Sequence, residues 1–409
     1  MLNWLQQFDT FCFLDNHQYH IEPHTEECVA AAGVKNKFDA GLSTDPVYDL
    51  QNFIDRSKKK WLFGHLNYDF KNVLTKSISY HPDHIRFPDA FFFEPSIFIR
   101  VSEKEVIIEA EEPELIFSQI NNTDIVSTTL EKVGVNSRIG KEEYLSIIRR
   151  LQQHILRGDC YEINFCQEFF AENVQINPLE AYSRLSEVSP NPFSALYRLG
   201  DKWLICASPE RFLKKQRDQI LAQPIKGTSQ RVKENSEEDI QAKEELYHSE
   251  KDRSENVMIV DLMRNDLSKI CEEGSVKVDE LYGIYSFPQV HQMISTISGQ
   301  LKNDISFTDI LRATFPMGSM TGAPKKKVIE LIEQYEKTKR GIFSGALGYI
   351  APSGDFDFNV VIRSIMYNQL DKYLSFQTGS GITFYSDAEK EWEECLLKAS
   401  AIKEIFHTT

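Results

Sequence analysis

A single cation in a short apolar turn is the residue of this sequence best suited to act as a nucleophile. Lys226 stands between Ile225 and Gly227 and two residues after Pro224. Burial beside apolar neighbours disfavours the charged form of a lysine, so we expect a pKa below its ordinary value. A partly neutral lysine can attack an electrophilic carbon. The alternative, a solvated lysine beside a Gly-Thr turn, is the commoner situation for this residue type.

A carboxyl group is predicted to share a sheet face with this amine. If a hairpin is centred on Arg217, Lys226 lies opposite Ser208, and Glu210 points to the same face because side chains alternate along a strand. Such a pair is commonly a plain ion pair. The functional alternative is an acid and a nucleophile that face one substrate.

Two acidic clusters on predicted helices have the spacing of a cation site. Asp252 and Glu255 lie at i and i+3, and so do Glu391 and Glu394 near the C-terminus, with Lys398 one turn later. A carboxylate pair on each of two helices suits a hard cation such as Mg²⁺. Glu394 and Lys398 also form the ordinary i, i+4 pair of an exposed helix, and this alternative stays open.

Two glycine-containing stretches could hold an anion. The stretch 318–325, which contains Ser319, precedes a predicted helix and so offers backbone N–H groups at a helix N-terminus. Gly379, Ser380 and Gly381 are predicted to form a loop after a strand, where the backbone can approach an anion closely.

Two further polar residues lie in apolar surroundings. Arg363 interrupts a predicted buried strand over 359–365 and requires a carboxylate, from the protein or from a ligand. His291 is by default a hydrogen-bonded core histidine, and a catalytic role is the alternative.

The elements that must position these residues change in type along the chain. Residues 1 to about 118 read as strands and turns, and the polar segment 119–138 reads as a linker, so a domain boundary is predicted at residue 138. The second part opens with an amphipathic helix around 144–155, followed by short hairpin-linked strands, which predict a mainly antiparallel sheet. One long helix is expected over about 238–266.

Composition restricts the classes of function. The chain has 409 residues, 61 acidic and 46 basic side chains and a net charge of -15, which opposes binding to a nucleic acid. The absence of a leader-like start and of any long apolar run leads us to expect a cytoplasmic protein with no membrane contact. Its seven scattered cysteines predict reduced, mainly buried thiols rather than a metal site.

Taken together, these motifs resemble those of the chorismate-utilising enzymes, and they run in the order that this family has. They cover about residues 139–405. The matching segments are Pro-Ile-Lys-Gly-Thr at 224–228, Ser-Pro-Glu-Arg-Phe at 208–212, 252–266, 318–325, 379–382 and 391–398.

The resemblance implies an α+β fold: a sandwich of large, mainly antiparallel sheets with helices packed on the outside. It also implies a Mg²⁺-dependent replacement of the C4 hydroxyl of chorismate by an amino group, an aminotransferase-class step on the way to 4-aminobenzoate and folate. Lys226 is similar to the lysine of the family branch that makes aminodeoxychorismate, whereas anthranilate synthases typically have alanine there.

The resemblance further implies a role for each matching residue. Lys226 would attack C2, with Glu210 as general acid and base and His291 as a further catalytic candidate. Glu255 and Glu394 would bind Mg²⁺, with Glu391 and Asp252 behind them. The residues expected to hold substrate are Thr228, Ser319, Arg363, Gly379, Ser380, Gly381 and Lys398.

Departures from the family pattern narrow the expected reaction. Glu162 stands where isochorismate and salicylate synthases have a water-activating lysine, and Phe343 stands where anthranilate synthases usually have tyrosine. No glutaminase nucleophile motif is present, so a separate glutamine amidotransferase subunit is the expected partner. Anthranilate synthesis and a non-catalytic chorismate-binding regulatory subunit remain as alternatives.

Overall fold

The strands make up about a third of the chain and pair side by side in antiparallel order. The computed structural model describes residues 1–19, 26–124, 130–231, 236–287 and 290–406. The strands are β1 (Thr10–Asp15), β2 (Cys28–Asp39), β3 (Leu62–Leu66), β4 (Ala90–Val101), β5 (Val106–Glu109), β6 (Asn136–Ser137), β7 (Glu162–Ala171), β8 (Phe193–Leu199), β9 (Lys202–Ser208), β10 (Arg211–Gln216), β11 (Gln219–Gln223), β12 (Ile225–Gln230), β13 (Lys277–Ser286), β14 (Val290–Gln300), β15 (Gly322–Ala323), β16 (Ala346–Ile350), β17 (Phe356–Val360), β18 (Ser364–Asn368) and β19 (Tyr373–Ile382).

The helices lie mostly between these strands in sequence. They are α1 (Leu2–Leu5), α2 (Pro46–Arg56), α3 (Phe70–Thr75), α4 (Pro113–Asn122), α5 (Lys141–Leu156), α6 (Pro178–Val188), α7 (Glu237–His248), α8 (Glu250–Ser268), α9 (Phe307–Thr314), α10 (Lys325–Tyr335) and α11 (Ala388–Glu404), with 3₁₀ turns at Ala40–Leu42 and Gly318–Met320. No helix within the described ranges is long and apolar enough to cross a membrane.

The strand pairings describe two series that are joined by the pairing of β2 with β4. One runs β7, β19, β18, β9, β8, β1, β2, and the other runs β4, β3, β16, β17, β10, β11, β14, with β12 and β13 both on β14. All of these pairs are antiparallel, as the short connections predicted.

Alternating side chains give the sheets two apolar faces. On β1, Phe11 and Phe13 belong to one buried cluster, which also holds residues of α5 and α11, whereas Cys12 belongs to a second cluster with Phe63 and Phe358 of the other strand series. This division follows from the period of two along a strand. The α+β class with a mainly antiparallel sandwich and outer helices is therefore confirmed.

Strands from both sides of the predicted domain boundary pair with each other. β1 pairs with β8, and β3 pairs with β16. The predicted linker contains the end of α4 and the strand β6, and its residues 125–129 lie outside the described part of the chain. The division into two domains stays a prediction. All seven cysteines are free and six are buried, as expected.

Two element predictions are wrong in detail. The long helix expected over 238–266 is two helices, because Ser249 ends α7 and its hydroxyl accepts a hydrogen bond from the amide of Asp252 in the first turn of α8. The buried strand expected over 359–365 is broken between β17 and β18, where Arg363 has a left-handed φ of 50°.

Candidate active site

Lys226 lies on β12 with its ammonium group against a carboxylate. Nζ of Lys226 donates a hydrogen bond to Oε1 of Glu162 over 2.6 Å. The Glu162 side chain, at the start of β7, is 1% exposed and that of Lys226 is 11% exposed. The proposed nucleophile is therefore held in a nearly closed, charged environment.

The lowered pKa expected for Lys226 is wrong. Burial by itself lowers the pKa of this amine, but the charges of Glu162, Glu255 and Glu210 together outweigh burial and hold the pKa above its ordinary value. The groups that decide this pKa are carboxylates from distant parts of the sequence and not the apolar residues beside Lys226. In the ligand-free protein the amine is a protonated partner of carboxylates.

The predicted strand pairing around Lys226 is also wrong. β12 pairs with β14, and Ser208 pairs with Phe193 of β8 instead of facing Lys226. Glu210 nevertheless lies near the lysine, because β9 ends at Ser208 and the short turn before β10 carries Glu210 into the site. Proximity arises from the tertiary fold and not from the hairpin register.

Glu210 is an acid whose pKa is displaced toward neutrality. Its residue is 4% exposed, and burial raises its pKa to about 7, although Ser319, Lys226 and Arg363 partly oppose this. Its backbone is fixed because the amide donates to Oγ of Ser208 over 3.2 Å. A carboxyl group with such a pKa can donate and accept protons near neutral pH.

Arg363 supplies a guanidinium that has Glu210 as a nearby charge but no directly bonded partner among the described residues. Burial lowers the pKa of its guanidinium to about 10, and only the charge of Glu210 opposes that shift. Within the described residues the guanidinium makes no hydrogen bond or ion pair. The sequence-based expectation that Arg363 requires a carboxylate thus leaves a ligand carboxylate as the partner with matching chemistry.

Both acidic helices, α8 and α11, contribute carboxylates near Lys226. Burial raises the pKa of the Glu255 carboxyl on α8 to about 7, while Lys226 and Lys251 oppose the shift. Asp252, one turn earlier on α8, accepts a hydrogen bond from Ser249 over 2.5 Å. On α11, Glu391 is 3% exposed.

Glu394 and Lys398 form the ordinary helical pair that the spacing allowed. Nζ of Lys398 is 2.7 Å from Oε1 of Glu394, and both side chains are more than two-fifths exposed. The same ammonium donates to the carbonyl oxygen of Gly379 over 2.9 Å. Lys398 therefore connects α11 to the glycine segment of β19.

These carboxylates have the chemistry of a divalent-cation site. Oε1 of Glu255 and Oε2 of Glu391 are buried and accept no hydrogen bond from any residue that the structure describes. Lys251 is nearby: burial lowers its pKa, but Glu255, Glu391, Glu394 and Asp252 raise it overall. Across the described ranges, no three acidic, histidine or cysteine side chains are grouped tightly enough to form a ready-made metal site. Mg²⁺ commonly takes one or two carboxylates and completes its shell with water and substrate, so these residues fit it.

Gly379, Ser380 and Gly381 do not form the predicted loop. They continue β19, where they pair with Cys166, Phe165 and Asn164 of β7. β18 pairs with β19 only at 373–376, so the segment after Gln377 has a strand on one side within the described chain.

Gly381 is required by the pair beside it. A Cβ at this position would lie 2.5 Å from Oε1 of Glu162 and 2.9 Å from Nζ of Lys226. Gly322 is similarly constrained, because a Cβ there would lie 2.1 Å from the backbone oxygen of Glu162. Gly381 therefore leaves room for the ion pair itself, and Gly322 leaves room for the backbone of Glu162.

The other predicted substrate contacts are placed differently. Ser319 is buried in the 3₁₀ turn, where its backbone oxygen accepts a hydrogen bond from Asn164 over 2.9 Å. Thr228 lies two residues beyond Lys226 on β12 and is exposed.

His291 is not brought to the amine of Lys226. Its Nε2 is 3.1 Å from Oδ1 of Asp239, and its Nδ1 is 2.9 Å from Oγ of Ser286. Both ring nitrogens are thus engaged in a buried network, as in the core-histidine interpretation. The preceding residues 288–289 lie outside the described part of the chain.

Two buried ion pairs were not predicted from the sequence. Glu162 was recognised only as a departure from the family pattern, although a glutamate at the start of a buried strand indicates a buried cationic partner. The second pair is that of Lys325, whose Nζ is 2.6 Å from Oδ2 of the buried Asp266. That pair ties α10 to α8 and so fixes the 318–324 segment against the helix of Glu255.

Several known proteins are similar to this chain in sequence. Aminodeoxychorismate synthase component 1 of Salmonella typhimurium is 40% identical over 266 residues, which are 65% of this chain and 58% of that protein. The protein of the same name from Bacillus subtilis is 31% identical over 365 residues, 83% of this chain and 75% of that protein. A probable chloroplastic aminodeoxychorismate synthase of Oryza sativa is 38% identical over 314 residues, which are 75% of this chain and 35% of that protein. The chain therefore spans between about a third and three quarters of these relatives.

A solved structure has the same fold over nearly the whole chain. Anthranilate synthase component I from Streptococcus pneumoniae superimposes with a TM-score of 0.82 at 24% identity, covering 95% of this chain and 94% of that one. The model of the chorismate binding enzyme family matches residues 13–404, a span that includes the lysine, the acidic helices and the glycine segment described above. This protein belongs to the chorismate binding enzyme family.

Proposed function

We propose that this protein makes 4-amino-4-deoxychorismate from chorismate and ammonia, with Lys226 as the covalent nucleophile. The observation that carries the proposal is the meeting of Lys226 with Glu210, a buried acid with a pKa of about 7, in a family member whose relatives are named aminodeoxychorismate synthase. An amine and an acid that titrates near neutrality are the two groups that a substitution through the enzyme's own nucleophile requires.

In the proposed reaction, each group of this chain has one task. Nζ of Lys226 forms a bond to C2, both double bonds of the ring diene move by one position, and the C4 hydroxyl leaves as water with a proton from Glu210. Ammonia then adds at C4, both double bonds move back, and the C2–N bond to the lysine breaks. Arg363 and the open edge of Gly379–Gly381 hold the substrate's carboxylates.

Mg²⁺ is the proposed cofactor. Glu255 and Glu394 would hold it, with Glu391 and Asp252 behind them. When bound, the ion would neutralise a substrate carboxylate among these acidic side chains. The support is that Oε1 of Glu255 and Oε2 of Glu391 are buried and accept no hydrogen bond from the described residues, with Nζ of Lys251 3.9 Å from the Glu255 oxygen. A protein with a net charge of -15 can accept a dianion only through such locally placed cations.

We propose a separate glutamine amidotransferase subunit as the source of ammonia and the cytoplasm as the location. The names of the relatives, which specify a component 1, support a partner component. Free ammonium should replace that partner in a purified system.

Product identification tests the proposal. Purified protein receives chorismate, Mg²⁺ and ammonium, with or without added aminodeoxychorismate lyase. We expect 4-aminobenzoate only with the lyase. Fluorescent anthranilate without the lyase would establish the second candidate, anthranilate synthesis, which the structural likeness to an anthranilate synthase keeps in view. Binding of chorismate without turnover at saturating ammonium would instead indicate a regulatory subunit.

A further inference from the structure

The buried contact between Glu162 and Lys226 has no role in the reaction proposed above. Oε1 of Glu162 accepts a hydrogen bond from the amine of Lys226 over 2.6 Å. The second oxygen, Oε2, is buried and has no hydrogen-bond partner among the described residues. A carboxylate that is 1% exposed and half satisfied is costly to keep in a folded protein.

The space for this contact is built by three strands. Glu162 starts β7, between β15 and the end of β19, and the absence of side chains at Gly322 and Gly381 leaves room for its backbone and its carboxylate. Because a side chain at either glycine would collide with Glu162, this contact is part of the packing of the site and not a chance surface ion pair.

The amine must lose a proton before it can attack. Four carboxylates act electrostatically on its ammonium group. They are Glu162 on β7, Glu210 between β9 and β10, Glu255 on α8 and Glu394 on α11. Only Glu162 is in hydrogen-bond contact with Nζ within the described chain. Proton transfer along this contact turns two buried charges into a neutral amine and a neutral acid, and burial by itself favours that neutral pair.

We propose that Glu162 accepts the proton that Lys226 loses before attack and returns it when the lysine is expelled. This rests on the function proposed above. The proton passes from Nζ to Oε1, and the amine's lone pair then forms the bond to C2 while the C4–O bond breaks with the proton from Glu210. When ammonia bonds to C4 and the C2–N bond breaks, the proton on Glu162 returns to Nζ. The ammonium ion that supplies ammonia reprotonates Glu210, so protons and charges balance over the cycle.

Two measurements on the Glu162→Gln variant test this role. The first is isotope-coded reductive methylation of Lys226 in the ligand-free protein from pH 7 to 10, read by peptide mass spectrometry. Loss of the carboxylate charge should increase labelling of Lys226 at pH 8 by about tenfold, the change expected for about one pH unit of pKa. The second is the rate at which the chorismate adduct of Lys226 forms, which should fall about a hundredfold or more because the proton acceptor is missing.

These opposite directions separate a proton acceptor from a structural partner. Glu168→Gln is the matched control: this glutamate lies on the same strand, is 4% exposed and pairs with Arg138 instead of Lys226, and its loss should change neither readout. Glu162→Asp, which keeps the carboxyl group, should restore part of the adduct rate and serves if the glutamine variant does not fold.

An unchanged or faster adduct rate in Glu162→Gln would overturn the proposal. If the wild-type protein forms no adduct at all, the proposed function fails instead, whereas the labelling experiment still reports on the ion pair.

Discussion

Replacement of Glu210 by glutamine should stabilise the folded protein at neutral pH and should also abolish most of its activity. Burial raises the pKa of this carboxyl from 4.5 to about 7, and each pH unit of that difference corresponds to about 1.4 kcal/mol. The folded state therefore binds the proton more tightly than the unfolded state does. The associated stability is complete below pH 4.5 and is lost as the pH rises to about 7, where ionised Glu210 costs about 3 kcal/mol.

Glutamine resembles the protonated carboxyl group and cannot ionise. The stability difference between Glu210→Gln and the wild type should be near zero at pH 4.5 and approach about 3 kcal/mol at pH 8. At about 2.1 cal/mol/K per residue, this gives a 409-residue chain a rise in melting temperature of about 3–4 °C. Turnover should fall by about a hundredfold or more, because the acid is removed.

The assay is thermal unfolding of ligand-free protein with a chelator, from pH 4.5 to 8. Glu393→Gln is the control, since Glu393 is an exposed glutamate on α11 beside the site and substitution of an exposed side chain should change stability by no more than about 0.5 kcal/mol. A Glu210→Gln difference that is equal at pH 5 and pH 8 would refute a displaced pKa, and with it the use of Glu210 as an acid at neutral pH.

Three other perturbations test the site. Gly381→Ala should reduce turnover by about a hundredfold, because its Cβ would lie 2.5 Å from Glu162 and 2.9 Å from Lys226 and breaking a buried charge pair costs about 3–5 kcal/mol. The control is Gly134→Ala, which should be neutral because a Cβ there meets nothing within 4 Å. Normal turnover of Gly381→Ala would contradict this packing. Arg363→Gln should weaken chorismate binding about tenfold to a hundredfold in calorimetry, as a charge-assisted hydrogen bond is worth about 1.5–3 kcal/mol; unchanged affinity would remove Arg363 from the substrate site. Chelation should abolish turnover and Mg²⁺ should restore it, with a higher Mg²⁺ requirement in Glu255→Gln, whereas full activity in chelator would eliminate the proposed cofactor.

Periodic patterns predicted the elements of the fold well. The apolar repeat around Tyr144 and Ile148 marked α5, and the two-residue turn after Leu199 marked the hairpin of β8 and β9. These features are local, so sequence contains them. The break at Ser249 was missed because helix periodicity continues on both sides of a residue whose side chain caps the second helix.

The neighbours of the site residues could not be predicted in the same way. Lys226 was expected to be a lysine with a lowered pKa because Ile225 and Gly227 adjoin it in sequence. Its actual partner, Glu162, is 64 residues away and arrives through the pairing of β7 with β15 and β19. The charges around a side chain depend on such distant contacts. The motif therefore identified Lys226 as a site residue, whereas the direction of its pKa shift was predicted wrongly.

The most direct test of the central claim is the mass of the protein after it is mixed with chorismate and Mg²⁺ and quenched before ammonium is added. We predict an adduct that maps to Lys226 in the wild type and is absent from Lys226→Ala. An adduct that persists at another residue in that variant, or formation of aminodeoxychorismate at the wild-type rate by Lys226→Ala, would contradict the assignment of Lys226 as the nucleophile.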